Sequence, residues 1–169
     1  MQQDEIDDEV ICEKLIDLEN RINAISKTYN MLLIKENIEE IDMDEYIDSL
    51  LLDIQDTIHS NNQIIKIETD IHARIPLRES VYLGLIINEL VTNAYKYAFD
   101  KDGIISISLQ QDNNNYILKI KDNGKGYDSK ETQASLGLKL INTLVYDQLD
   151  GTLEKDTTHH TYYTIRFTI

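Results

Sequence analysis

Asn88-Glu89-Leu90-Val91-Thr92-Asn93-Ala94-Tyr95-Lys96-Tyr97-Ala98 lies inside a run from Val81 to about Phe99 that contains one glycine and no proline. At roughly 3.6 residues per turn, Leu83, Ile87, Leu90, Ala94 and Tyr97 fall on one stripe, which predicts a helix that buries that face. Glu89, Asn93 and Lys96 fall on a second stripe about 100° away. A carboxylate, an amide and an ammonium on one face suit a site for nucleotide phosphates. The Asn93 carbonyl can give one oxygen to Mg²⁺, a hard cation that keeps several phosphate and water ligands. Glu89, one turn earlier, can accept a proton from a water or a nucleophile, and Lys96 can offset phosphate charge. Taken alone, a solvated polar face is the simpler account of this trio.

Downstream, Asp122-Asn123-Gly124-Lys125-Gly126 directly follows a segment that alternates like a strand. Asp122 then points a carboxylate into the cleft at a strand end, where it could accept hydrogen bonds from an adenine amine. Gly124 and Gly126 permit positive φ and close backbone approach. The alternative is an ordinary turn. Next comes Ser135-Leu136-Gly137-Leu138-Lys139-Leu140. Ser135 can cap a helix with Gly137 in its first turn, and the free N–H groups there suit phosphates. A plain helix start is the competing reading. The polar stretch 127–134 between these motifs is either a lid or a surface loop.

The remaining elements are arranged around these motifs. Ile64 to Glu68 reads as a strand, and Arg74 to Leu77 as an extended connection. Ile104 to Gln110 and Tyr116 to Lys121 read as a hairpin. Leu136 to Asp147 is expected to be a helix, and Leu149 to Glu154 with Tyr162 to Ile169 a closing hairpin. Upstream, Ile11, Leu15, Leu18, Ile22, Ile25, Tyr29 and Leu32 recur in alternating steps of 4 and 3, a heptad seam that seeks a partner helix. Glu36 to Ile41 reads as a loop. Asp42 can cap the following helix, with Glu45 three residues on. In that helix Ile47, Leu51, Ile54 and Ile58 form a second seam, so the two helices could make an antiparallel hairpin.

Composition removes several function classes. The 169 residues carry a formal charge of -15, which phosphate backbones repel, so no nucleic-acid partner is expected. The single cysteine, Cys12, cannot close an intrachain disulfide. No apolar run approaches the roughly 20 residues of a membrane span, and the acidic start is no secretory signal. A cytoplasmic protein, or the cytoplasmic piece of a larger one, is expected. Walker-type and Rossmann-type phosphate loops are missing. His59 and His72 are isolated, and His159 and His160 sit together in an expected turn, where a solvated role suits them better than zinc.

The order and spacing of the three motifs carry more than any one of them. Glu89-x-x-x-Asn93, Asp122-x-Gly124-x-Gly126 and Leu136-Gly137-Leu138 together resemble the N, G1 and G2 boxes of the Bergerat ATPase superfamily, which includes gyrase, Hsp90, MutL and histidine kinases. Asn88 to Phe99, with Pro76-Leu77 and Leu83-Gly84-Leu85-Ile86, looks like the sensor histidine kinases of the short-lid, HWE-like type. The resemblance implies an α+β fold, a two-layer α/β sandwich with a mixed sheet, preceded here by a long heptad helix. It implies ATP and Mg²⁺ as cofactors. Asn93 would serve Mg²⁺, Glu89 would be the catalytic base or position water, Asp122 would hold the adenine amine, and Lys96 would approach the phosphates. Gly124, Gly126, Ser135, Leu136, Gly137 and Leu138 would shape pocket and lid. Thr161 matches a threonine that such proteins place near adenine, although His160 stands where the family usually has glycine.

The same resemblance divides the chain into a partial dimerisation helix, 1–35, and an ATP-binding catalytic domain, 36–169. In such kinases the first helix of a two-helix hairpin carries the accepting histidine; here no histidine occurs before His59. The expected function is γ-phosphoryl transfer from ATP to a histidine absent from this stretch, then relay to a response regulator receiver domain. A homodimer through the N-terminal helix is expected. Two other readings stand beside it: an anti-sigma-type protein-serine kinase, and a non-catalytic nucleotide-binding scaffold.

Overall fold

In a computed structural model the described residues are 15, 18, 19, 22, 26, 39–58, 64–126, 136–156 and 159–169. The chain forms β1 (Glu40–Asp42), α1 (Met43–Thr57), β2 (Ile65–His72), β3 (Arg74–Pro76), α2 (Leu77–Tyr97), β4 (Gly103–Asp112), β5 (Asn115–Asp122) and α3 (Leu136–Asn142). A π-helical segment, Thr143–Gln148, extends α3 and leads to β6 (Thr152–Asp156) and β7 (Tyr162–Thr168). Five strands form one mixed sheet in the order β2-β4-β5-β7-β6. Only β2 and β4 run parallel, and the other neighbours are antiparallel.

Alternation along the strands makes the two layers. Ile105, Ile107 and Leu109 of β4, Leu118 and Ile120 of β5, and Tyr163, Ile165 and Phe167 of β7 are buried in one cluster with the apolar faces of the helices. Intervening residues such as Lys121 and Arg166 are exposed, as expected for a sheet with one packed and one wet face. The expected α+β two-layer sandwich is therefore the observed fold.

Helix α2 is the central element. It is buried at every position from Leu83 to Thr92, so its polar residues there sit among packed atoms. Leu83, Ile87, Leu90 and Ala94 face the core as expected, but Tyr97 is 52% exposed because it lies in the last turn, past the sheet's cover. The helix also starts earlier than Val81, at Leu77, with Pro76 at its cap. The Ser80 hydroxyl donates to the carbonyls of Ile75 and Pro76 at 3.1 and 3.0 Å and secures that first turn. Proline is well suited there, since the first N–H groups of a helix have no internal partner.

Helix α1 is capped as expected: the Asp42 carboxylate accepts from the Asp44 N–H at 3.2 Å. Its seam residues Ile47, Leu51 and Ile54 are buried in the main core. That seam packs into the same core as α2 and the sheet, and the expected N-terminal hairpin falls on residues mostly outside those described. Glu36 to Ile41 is not wholly a loop. Glu40–Asp42 pairs antiparallel with Arg74–Pro76, and Ile41 lies opposite Ile75 with both buried. The last helix is expected to be regular to Asp147 but turns π-helical at Thr143, with the Leu149 N–H donating five residues back to the Leu144 carbonyl at 3.0 Å.

Candidate functional site

The site lies where α2 crosses the ends of β4, β5 and β7. A small cavity of about 10 Å³ lies there. Leu90, Asn93 and Ala94 of α2 form one wall, and Ile105 and Ile120 of the sheet form its floor. Asp122, Thr161 and Tyr163 complete it. Three of the polar residues singled out in the sequence, Asn93, Asp122 and Thr161, thus converge from separate segments.

Asp122 ends β5 and is only 4% exposed. Its Oδ1 accepts from the Gly124 N–H at 2.9 Å and the Thr161 N–H at 3.4 Å. Its own N–H donates to the Thr161 carbonyl at 3.0 Å. A buried carboxylate needs such donors, because desolvating a charge without hydrogen bonds is costly. Thr161 is buried too, but its Oγ1 has no hydrogen-bond partner. A buried hydroxyl on a pocket wall can meet a ligand's polar group.

The glycine loop is fastened on several sides. Asn123 Oδ1 accepts from the Ile104 N–H at 2.7 Å, and the Asn123 N–H returns to the Ile104 carbonyl at 3.1 Å. The Lys125 N–H donates to the Ala98 carbonyl at 2.9 Å. Lys125 also pairs with Asp100 at 2.7 Å. Gly126 has φ 68°, the left-handed region that glycine enters at little cost. Glu89 is buried one turn before Asn93 on the same helix, while Lys96 is exposed in the last turn. In α3, Gly137 and Leu138 are buried and Leu136 is exposed. Glu89, Lys96, Leu136, Gly137 and Leu138 do not line the pocket itself, and Ser135 with the stretch 127–134 lies outside the described residues.

Sequence reasoning missed one contact at the glycine loop and several features of the surrounding elements. His160 is not merely solvated: its Nδ1 lies 2.8 Å from the Gly124 carbonyl. Asn88 and Thr92 are buried on α2 with side-chain oxygens that lack partners. Lys155 on β6 sits over the Tyr163 ring, 5.6 Å from its centre, and burial lowers its pKa below the usual lysine value. No spacing rule picks out the His160–Gly124 and Lys155–Tyr163 contacts, since each joins separate segments. Among the described residues no group of three or more His, Cys, Asp or Glu could hold a metal ion.

Comparison with known proteins gives concordant results. The family described as "Histidine kinase-, DNA gyrase B-, and HSP90-like ATPase" matches residues 79–169, and one described as "Histidine kinase" matches residues 1–58. The sensor histidine kinase PdtaS of Mycobacterium tuberculosis is 30% identical over 149 residues, 83% of this chain and 29% of that protein. PdtaS of Mycolicibacterium smegmatis is 27% identical over 147 residues, with the same coverages of 83% and 29%. This chain therefore spans about 29% of the length of these relatives. Among solved structures, the histidine kinase domain of the Erythrobacter litoralis EL346 blue-light activated histidine kinase superposes with a TM-score of 0.78 at 19% identity, covering 90% of this chain and 74% of that one. The Acinetobacter baumannii histidine kinase AdeS gives 0.65 at 22% identity, covering 93% and 79%. These structural likenesses carry the fold.

Proposed function

This chain belongs to the family of histidine kinase-, DNA gyrase B- and HSP90-like ATPases, and we propose that it is the ATP-binding catalytic part of a two-component sensor histidine kinase. The reaction is transfer of the ATP γ-phosphoryl group to a histidine, for relay to a response regulator. The observation that carries this reading is the convergence of Asp122, Thr161 and Asn93 on one pocket.

The residues suit the ligand. Asp122 offers a buried carboxylate to the adenine amine, and the unpartnered Thr161 hydroxyl lies beside it. Leu90, Ala94, Ile105 and Ile120 give the base an apolar bed. Asn93, half-buried at the pocket wall, would hold Mg²⁺ through one oxygen. A single protein ligand is consistent with Mg²⁺ bound largely through phosphates and water. Bound there, Mg²⁺ would neutralise charge on the transferring phosphoryl group. In this reading Glu89 would orient or deprotonate the attacking nucleophile. Lys96, Gly124, Gly126, Ser135, Leu136, Gly137 and Leu138 frame the phosphates and lid in this reading.

We assign residues 36–169 to the ATP-binding domain, because α1 is packed into the same core as the sheet. Residues 1–35 are then part of a dimerisation helix. Leu15, Leu18 and Ile22, at heptad positions, are helical and more than half exposed, which supports a homodimer. No helix among the described residues is long and apolar enough to cross a membrane; a receiver partner would put the working site in the cytoplasm. The segment matched as "Histidine kinase" contains no histidine. The accepting histidine therefore comes from elsewhere, and a purely regulatory nucleotide-binding scaffold is the second reading. Mixing the protein with a histidine-bearing dimerisation helix and γ-labelled ATP separates them. Phosphohistidine above an Asn93→Ala control supports the kinase; label no higher than that control leaves the scaffold.

A further inference from the structure

His160, in the turn before β7, reaches back to the glycine loop. His160 Nδ1 stands 2.8 Å from the Gly124 carbonyl oxygen. A carbonyl only accepts, so the imidazole must donate, which fixes the proton on Nδ1. The bond spans 36 residues of sequence and joins the turn before β7 to the glycine loop after β5.

Its neighbours form a closed ring. Asp122 Oδ1 accepts from both the Gly124 N–H and the Thr161 N–H, at 2.9 and 3.4 Å. His160 directly precedes Thr161. The sequence of contacts is therefore Asp122 to Gly124, Gly124 to His160, then through the chain to Thr161 and back to Asp122. The far side of the loop is held separately by Lys125 on Ala98 and Asn123 on Ile104. His160 thus adds a second tie, beside that through Asp122, between the loop and the turn that bears Thr161.

We propose that His160 is a positioning residue for the adenine end of the nucleotide site. It locks the glycine loop to the β7 turn and thereby holds the Asp122 carboxylate and the Thr161 hydroxyl at a fixed separation before ligand arrives. Preorganisation of this kind raises affinity by removing an ordering cost from the binding step. The proposal rests on the nucleotide-site reading above, but its geometry has a readout of its own. Because the imidazole is exposed, its loss should leave the fold intact.

The test compares wild type, His160→Ala and His160→Asn, the last because its side-chain amide nitrogen can stand near the place of Nδ1. Three quantities are measured: Mg-ADP affinity by calorimetry, amide exchange of Gly124 and Lys125 by NMR, and the His160 tautomer by imidazole ¹⁵N shifts. A single hydrogen bond of ordinary net strength predicts that His160→Ala binds roughly 2- to 10-fold more weakly. It also predicts faster exchange at both amides, recovery of both properties in His160→Asn, and melting temperatures lowered by no more than a few degrees. The wild-type neutral imidazole should carry its proton on Nδ1. Wild-type affinity in His160→Ala, no recovery in His160→Asn, or an Nε2–H tautomer overturns the proposal. Should wild type itself bind no Mg-ADP, the nucleotide reading fails, and the exchange and tautomer results alone decide whether the latch exists.

Discussion

Gly124 lies so close to Ala98 that a Cβ built at position 124 would stand 2.3 Å from the Ala98 carbonyl oxygen. The same carbonyl accepts the Lys125 N–H at 2.9 Å. The glycine is thus required by a close approach of loop to helix, and the helix is the one that carries Glu89 and Asn93. Gly124→Ala must push the loop off α2. A steric insertion against backbone predicts about 1–3 kcal/mol of destabilisation, with Mg-ADP affinity falling further than stability alone explains. Denaturant unfolding together with nucleotide titration checks both halves.

Thr161→Val gives a prediction of opposite signs. The Oγ1 is buried and unpartnered, so its removal relieves a desolvated polar atom and should leave the free protein as stable as before or more so by up to about 1 kcal/mol. Nucleotide affinity should nevertheless drop, on the order of 10-fold, through loss of one hydrogen bond to the ligand. A joint loss of stability and affinity would indicate a structural role for the hydroxyl.

The contact of α1 with α2 rests on another glycine. A Cβ at Gly84 would come within 1.9 Å of the Tyr46 hydroxyl, and Tyr46 is fully buried. Gly84→Ala should cost about 1–3 kcal/mol. In the double variant with Tyr46→Phe, the oxygen met by the new methyl is gone. The two changes should therefore sum to less than their separate costs in a double-mutant cycle.

The N-terminal seam supplies a prediction about assembly. Leu18 and Ile22 are helical and exposed at 51% and 56%. If they face a second copy, Leu18→Asp with Ile22→Asp should shift the protein to monomer in concentration-dependent light scattering. Nucleotide affinity should be retained, because neither residue lines the pocket.

How much of this was legible in the sequence follows from the range of each interaction. Helix α2 and the β4–β5 hairpin were readable because their periodicities run over many residues. Asp122 and Asn93 were readable because spacing put them at a strand end and on a helix face. The β1–β3 pair was not, since each strand has three residues and Glu40–Asp42 shows no period before the Asp42 cap. The true start of α2 was hidden behind Pro76, which reads as extended chain until Ser80 is seen closing the first turn. Tyr97 obeys the helical period but lies beyond the layer that would cover it. The tie of His160 to Gly124 was invisible because the two lie 36 residues apart in sequence, and a turn carries no periodic signal.

Calorimetric titration of Mg-ADP into wild type and Asp122→Ala tests the nucleotide site most directly. Binding by the wild type, lost or weakened by at least about 100-fold in a variant that remains folded by circular dichroism, is the predicted result for a buried carboxylate that anchors the base. A folded wild type that takes up no nucleotide, or an Asp122→Ala variant that binds as well as wild type, would contradict it.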